Sequence, residues 1–244
     1  MRVIRIYQPG TYSIGDLVDL SPEASQHLAV VLRCTSGTLV HLFRGDNHEF
    51  MGKIHTIQKK IVQVRIEGVQ QVDRESPAVI HLAQALSKGD RMEWVIQKAV
   101  ELGVASITPL ITQHCSVKLH NDRLSKKRGQ WEQIIIAACE QCGRNRIPLL
   151  HPFQNLSEYV QRPLEGLKIV LAPSSEHKPL LSFTEQPIHV VVGAEGGFST
   201  SEMENLKQQD FQPLSLGPRI LRTETAALVA LTVLQAQAGD MRVH

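Results

Sequence analysis

At 244 residues, with 42% hydrophobic and 20% charged residues, the chain has the composition of a folded globular protein and not of a disordered or fibrous one. A formal net charge of +2 excludes a polycation that binds nucleic acid by bulk charge, so any such binding must rest on local patches. No apolar run reaches the roughly eighteen residues of a membrane-spanning helix, and no membrane association is expected.

The first residues, Met1-Arg2-Val3-Ile4-Arg5-Ile6-Tyr7, alternate charge and apolarity at period two, which is a strand pattern and not a secretion signal. The chain therefore reads as cytoplasmic. A helical insert is predicted from Ser21-Pro22, a capping serine followed by proline at the first helical position, through Arg33. Strand patterns follow at Thr38 to Phe43, Glu49 to Ile57 and Ile61 to Ile66, with a turn at Gly45-Asp46-Asn47. This half reads as a small barrel or meander.

Around Val72 to Pro77 the sequence turns polar, and beyond it strands alternate with helices. The linker is placed there, giving domains 1–72 and 73–244. Ala78 to Ala83 reads as a strand, and Met92, Val95, Ile96, Ala99 and Leu102 form the apolar stripe of a helix ended by Gly103. A strand at Ser106 to Leu110, a long helix from about Lys126 to Cys142, and strands at Ile147 to Leu150, Leu167 to Ala172 and Ile188 to Gly193 complete the expectation. The last two strands are apolar enough to imply helices on both faces of a mostly parallel sheet.

Cys34, Cys115, Cys139 and Cys142 lie in separate apolar contexts and are expected as reduced thiols. Cys139-x-x-Cys142 has no second pair of ligands at zinc-finger distance, and the eleven histidines form no ligating pair, so no metal is expected.

Two segments carry the chemistry. In Val190-Val191-Val192-Gly193-Ala194-Glu195-Gly196-Gly197-Phe198-Ser199 a strand ends in glycines whose amides can approach a ligand without a Cβ in the way. A helix start follows, with capping-box spacing at Ser199 and Glu202 and again at Ser201 and Glu204. The loop lacks the Lys-Ser/Thr of a phosphate-binding loop, and Glu195 would repel phosphate, so a ligand held by amides and carbonyls, such as S-adenosylmethionine, suits it better than a nucleotide triphosphate. A tight structural turn is the alternative for this loop alone. The second segment is Leu214-Ser215-Leu216-Gly217-Pro218-Arg219-Ile220-Leu221-Arg222-Thr223-Glu224-Thr225-Ala226.

Together these segments resemble the C-terminal signature of the RsmE family, small-subunit ribosomal RNA methyltransferases acting on N3 of a uridine, within the SPOUT superfamily. The pattern Gly-Pro-Glu-Gly-Gly-Phe-Ser with Leu-Gly-x-Arg-Ile-Leu-Arg-x-Glu-Thr-Ala is met at all but one position, Ala194 standing where proline is usual. The likeness extends over almost the whole chain, weakly at His27-Leu28 and Val31-Leu32-Arg33 and more clearly at Gln97-Lys98, Glu101-Leu102-Gly103, Pro109, Glu140-Gln141, Arg144 and Pro148. The resemblance implies a PUA-like RNA-binding barrel followed by an α/β domain with a trefoil knot, a feature that periodicity cannot predict. It also implies a homodimer, S-adenosylmethionine as cofactor, and small-subunit ribosomal RNA, naked or in the assembled subunit, as substrate.

Carried onto this chain, the resemblance places the cofactor at Leu171, Ala172 and Pro173, at Gly193, Glu195, Gly196 and Gly197, and at Leu216, Gly217, Ile220 and Leu221. Leu216, Ile220 and Leu221 are expected against the adenine, with plain core packing as the alternative for each. Arg222 and Glu224 follow and are expected to face the substrate. Methylation at N3 requires loss of a weakly acidic proton, which Glu224 can accept while Arg222 stabilises the charge. Glu224 also suits the start of a helix through the dipole alone. Arg5, Arg33, Lys126, Arg144 and Arg222 are expected RNA contacts, supplying affinity and not sequence choice. The alternatives are a SPOUT enzyme acting on another RNA position or on transfer RNA, a catalytically inert RNA-binding assembly factor, and a magnesium-requiring nucleotide-phosphate protein.

Overall fold

The computed structural model describes residues 3–58, 61–115, 121–172 and 187–241, and for 121–123 the backbone alone. The chain divides into two compact units, residues 1–75 with 136–147, and residues 76–135 with 148–244.

In the first unit, β1 (Ile4–Tyr7), β2 (Leu17–Asp19), β3 (Leu39–Phe43), β4 (His48–Gln58) and β5 (Ile61–Gln71) form a five-stranded sheet in the order β1-β3-β4-β5-β2. β1 pairs parallel to β3 and every other pairing is antiparallel. The sheet keeps two edges, β1 and β2, and no strand pairing closes it among the described residues. Alternate residues point to one face, so Ile6, Val40, Leu42, Ile54, Val62, Val64 and Ile66 build a core that also takes in Leu28.

Leu28 arrives on a helix shorter than the sequence suggests. α1 (Pro22–Gln26) is capped by Ser21, whose hydroxyl accepts from the Ala24 amide, and gives way to a π-helical turn at His27–Val31. Only Leu28 of that turn is buried, while Val30 and Val31 are exposed. Two successive β-branched residues without a packing surface favour α-helix poorly, and Arg33 ends the run in the left-handed region at φ 52°.

Segment 136–147 belongs to the first unit through polar bonds. Arg5 donates to the carbonyls of Cys139 at 2.9 Å and Arg144 at 3.0 Å, the Tyr7 amide donates to Glu140 at 2.9 Å, and Asn145 donates to the Val72 carbonyl at 2.8 Å. Glu49, almost fully buried, accepts from Arg74 at 2.8 Å and lies 3.2 Å from Arg5. Burial pushes the Glu49 carboxyl up, but the Arg74 hydrogen bond and the Arg5 charge outweigh it and hold the group at about 2.

The second unit is built on a seven-stranded sheet. Its strands are β6 (Ile80–Ala85), β7 (Ser106–Ile111), β8 (Leu149–Leu150), β9 (Gln154–Asn155), β10 (Leu167–Leu171), β11 (Ile188–Val192) and β12 (Gln212–Leu214). The order is β12-β10-β11-β6-β7-β8, with β9 also on β7, and every pairing is parallel. The short β12, which no periodicity announces, contains Pro213 and occupies an edge, where a missing N–H costs least.

Side chains alternate across this sheet. Ala83, Leu110, Val170 and Val191 share a face with Leu156, Tyr159 and Val160 of α4 (Leu156–Val160) and Leu206 of α5 (Thr200–Gln208). Gln84, next in line after Ala83, points the other way and meets Thr223 at the start of α6 (Thr223–Ala238), which packs on α2 (Arg91–Glu101) and on β6 and β11. The long α3 runs Asn121–Cys142.

At the N-terminal ends of β6 and β11, His81 and His189 stack with ring centroids 4.8 Å apart. His189 Nε2 donates to the Glu165 carbonyl at 3.1 Å, which leaves Nδ1 to accept from Tyr159, 3.4 Å away. Burial and the neighbouring His81 push His189 down to about 4, and burial with His151 and Arg162 lowers His81. A histidine with a depressed native pKa binds its proton first in the unfolded chain. Its contribution to stability is therefore complete above the ordinary value of about 6.5 and is lost as pH falls toward 4. Denaturant unfolding followed by tryptophan fluorescence is expected to show stability falling from pH 7 to pH 4, with a shallower slope in His189→Gln; parallel slopes in the two proteins would remove the pair from the account.

Candidate active site

Three adjacent parallel strands set the geometry. β12, β10 and β11 run the same way, so their C-terminal ends open together, and in parallel sheets the loops at those ends surround the ligand. A cavity of about 710 Å³ lies there, the size of a small-molecule site. Leu171 and Ala172 leave β10 into it, Gly193, Glu195, Gly196 and Gly197 line it after β11, and Leu216, Gly217, Ile220 and Leu221 line it after β12. Pro173 lies outside the described residues. Phe198 and Met203, which sequence reasoning did not single out, also line the cavity.

The glycine loop is held by its own backbone and by neighbours. The Gly197 amide donates to the Ala194 carbonyl at 2.9 Å, and Gly197 has φ +67°, a conformation L side chains rarely adopt. A Cβ on Gly196 would lie 3.0 Å from the Cβ of His114, whose ring Nδ1 is 2.9 Å from the Gly196 carbonyl. Of the two capping boxes legible in the sequence, the first forms: Ser199 caps α5 and exchanges hydrogen bonds with Glu202.

Ile220 is 90% exposed, an apolar side chain left bare at the cavity, whereas Leu216 and Leu221 are half-buried. Glu195 lines the same cavity, but its carboxylate is engaged by α2. It accepts from Arg91 at 2.7 Å and from the Lys88 amide at 3.3 Å. Burial raises its pKa, yet backbone hydrogen bonds and Arg91 outweigh this and leave it lowered. The charge that counted against a phosphate ligand is thus neutralised.

Thr223 ties the parts together. Its hydroxyl donates to the Gly193 carbonyl at 2.5 Å and accepts from Gln84 at 2.9 Å. The end of β11, the strand β6 and the start of α6 are thereby joined at one buried oxygen.

Beside this cavity lies a second opening of about 830 Å³, lined by Lys88, Arg91, Trp94, Arg222, Glu224 and Thr225 among others. Arg222 lines both. Glu224 has a side-chain exposure of 13%, with Oε1 3.7 Å from the Arg91 Nε. Its Oε2 is buried and has no hydrogen-bond partner among the described residues. Lys88, Arg91 and Trp94 were not expected at a site. The available signal was Trp94, a large aromatic lying off the apolar stripe of its helix.

The expected RNA contacts separate into two kinds. Arg33 and Lys126 are exposed. Arg5 and Arg144 are not: Arg5 is engaged by Glu49 and two carbonyls, and its guanidinium lies 4.7 Å from the Phe43 ring centroid. Arg144, 6% exposed, forms a forked bond to Glu75. These two guanidiniums are structural ties within the first unit. The sequence offers further cations for such contacts, among them Arg2 and Lys118, which lie outside the described residues. The four cysteines are free, and burial pushes the Cys139 thiol up to about 12.

Fold and site together define an α/β protein with its ligand cavity at the carboxyl ends of a parallel sheet. A family model described as an RNA methyltransferase domain matches residues 74–235. The chain is 37% identical to ribosomal RNA small subunit methyltransferase E of Buchnera aphidicola (subspecies Schizaphis graminum) over 98% of both chains. It is 32% identical to the Bacillus subtilis protein of that name over 91% of each. Among solved structures, a Legionella pneumophila protein in complex with the cofactor SAM superimposes with TM-score 0.93 at 52% identity, covering 98% of this chain and 100% of that one. Ribosomal RNA small subunit methyltransferase E of Neisseria gonorrhoeae, bound to S-adenosyl methionine, does so with TM-score 0.91 at 35% identity, over 99% and 100%. The chain belongs to the ribosomal RNA small subunit methyltransferase E family of RNA methyltransferases.

Replacing Thr223 by valine removes both hydrogen bonds at nearly constant volume, leaving the buried Gln84 amide with only the Ala85 carbonyl at 3.2 Å and the Gly193 carbonyl without its hydroxyl donor. Such a loss costs about 1–3 kcal/mol. Thermal unfolding is expected to show a lower Tm for Thr223→Val and a nearly unchanged one for Thr223→Ser; equal melting of all three proteins would mean the hydroxyl is dispensable.

Proposed function

We propose that this chain transfers a methyl group from S-adenosylmethionine to N3 of a uridine in small-subunit (16S) ribosomal RNA. The observation that carries the reading is the meeting of two segments, 193–197 and 216–221, around one cavity with Arg222 and Glu224 at its side. The names of the relatives and the bound molecule in two structural neighbours support it.

The cavity fits the cofactor. Its volume suits a nucleoside with a short side chain, the glycine loop brings amides and carbonyls close, and Ile220 leaves apolar surface bare for a purine. The lining is mostly apolar side chains and glycine backbone, with Arg219 and Arg222 as its cations and Glu195 paired with Arg91. S-adenosylmethionine, when bound, supplies a methyl group on a positively charged sulfur and leaves as the neutral thioether.

The chain supplies the rest. Gly193 to Gly197 hold the methyl donor through their backbone, and Leu216, Ile220 and Leu221 flank its base. Glu224 accepts the N3 proton as the new carbon–nitrogen bond forms, and its buried, unpartnered Oε2 is suited to receive it. Arg222, which touches both cavities, stabilises the negative charge that develops on the uracil ring as that proton leaves. Arg33 and Lys126, exposed cations, serve the RNA backbone.

The same reading takes residues 1–72 as a PUA-like RNA-binding domain and 73–244 as a SPOUT domain with a trefoil knot, working as a cytoplasmic homodimer. Its support is the family resemblance, together with the predominantly antiparallel sheet of the first unit and the convergence of both signature segments on one cavity in the second.

In single-turnover assays, Glu224→Gln and Arg222→Ala are each expected to slow methyl transfer by about a hundredfold or more, while calorimetry finds S-adenosylmethionine affinity within about twofold of the parent, the precision of such a comparison. Unchanged rates would return both residues to structural roles. The substrate is tested by mass-spectrometric mapping of small-subunit ribosomal RNA from cells lacking the gene, where persistence of the uridine N3-methyl group would rule it out.

A further inference from the structure

The opening beside the methyl-donor cavity has a lining of its own. Lys88 comes from the turn after β6, Arg91 and Trp94 from the first turn of α2, and Arg222 and Glu224 from the start of α6. Two of its cations are uncommitted: among the described residues, neither the Lys88 ammonium nor the Arg222 guanidinium has a hydrogen bond or ion pair. Arg91, by contrast, is bound by Glu195 and lies near Glu224, so it bridges the glycine loop and the proposed proton acceptor.

Trp94 stands out by where it lies. The apolar stripe of α2 is Met92, Val95, Ile96, Ala99 and Val100, all buried, whereas Trp94 is 45% exposed on the neighbouring face. The chain has two tryptophans, and the other, Trp131, is 3% exposed in the core. An indole presented to solvent among free cations matches the chemistry of a nucleotide, whose base offers a π-face and whose flanking phosphates offer charge.

The geometry points to Trp94 and Lys88 as further determinants of the target-nucleotide seat, the indole stacking on a base of a single-stranded RNA segment while Lys88 holds a flanking phosphate. This rests on the proposed function and adds to it the residues that hold the substrate. Arg222 lies where the two openings meet, so a base stacked in the second presents its edge toward the first. Arg91 acts as a positioning residue: by binding Glu195 and flanking Glu224 it keeps the donor loop and the carboxylate in one frame.

The test uses the full chain, small ribosomal subunits from cells lacking the gene, and labelled S-adenosylmethionine. Trp94→Ala is expected to reduce kcat/KM for the subunit by about tenfold or more, as for a lost base–aromatic stack. Trp94→Phe retains most of the activity. Lys88→Ala raises KM and weakens its dependence on salt. Donor affinity by calorimetry is unchanged in all three. A Trp94→Ala protein with kcat/KM within about twofold of the parent and normal donor affinity overturns the seat and leaves the proposed function standing, since a lost stack exceeds that change.

If the parent itself labels no subunit, the proposed function fails instead, and intrinsic fluorescence then decides the seat alone. Titration with single-stranded oligouridylate is expected to quench the emission of Trp131→Phe, whose remaining indole is Trp94, and to leave that of Trp94→Phe unchanged. No saturable quenching in Trp131→Phe overturns the proposal.

Discussion

The Thr223 hydroxyl is the point on which the site depends. One buried oxygen donates to the Gly193 carbonyl and accepts from Gln84, so the end of β11, the strand β6 and the start of α6 share a position. A hydroxyl can do this because it is donor and acceptor at once. The glycine loop leaves β11 directly after that bond, and Arg222 and Glu224 flank Thr223 in sequence. The donor cavity and the opening beside it are therefore held in register by the same few atoms.

A second constraint is the parallel sheet. Neighbouring strands that run the same way bring their carboxyl ends to one edge, and three consecutive ones, β12, β10 and β11, each pass a segment into the cavity there. Their interior is apolar and rigid, with Val170, Val190 and Val191 essentially inaccessible to solvent. Gly193, Gly196, Gly197 and Gly217 lie at the exits from this frame. The arrangement couples a stiff scaffold to a backbone close enough to grip a ligand, which methyl transfer needs if the reacting atoms are to be aligned.

Charge at the site is handled in pairs. Glu195 in the donor loop would disfavour an electron-rich ligand, but Arg91 and the Lys88 amide hold it from α2. Glu224 receives only a distant approach from Arg91 and keeps one oxygen unpartnered. Two carboxylates near one another thus have different surroundings, one satisfied and one available, and the difference suits one to structure and the other to proton transfer. In the first unit the same logic acts on Glu49, whose ion pairs with Arg5 and Arg74 fix the sheet.

Much of the site was legible from local patterns, because those features depend on residues a few positions apart. The glycines after a valine strand, the Ser199–Glu202 capping box and the strand at Ile188–Val192 form as their spacing predicts, and the apolar stripe of α2 does so except that Val100 is buried on it while Leu102 lies just past the helix end. The family signature added Leu171, Ala172 and the 216–221 run, which periodicity could not have joined to the glycine loop. Tertiary structure alone decided what depends on distant partners. Arg5 and Arg144 look like surface cations in the sequence and are internal ties, since their partners lie up to 140 residues away. Segment 136–147 joins the first unit, β12 forms around a proline at an edge, and Trp94 comes to lie beside Arg222, through strand order and long-range ion pairs. Short-range periodicity encodes which face of an element is apolar; it does not encode which charges that element will meet.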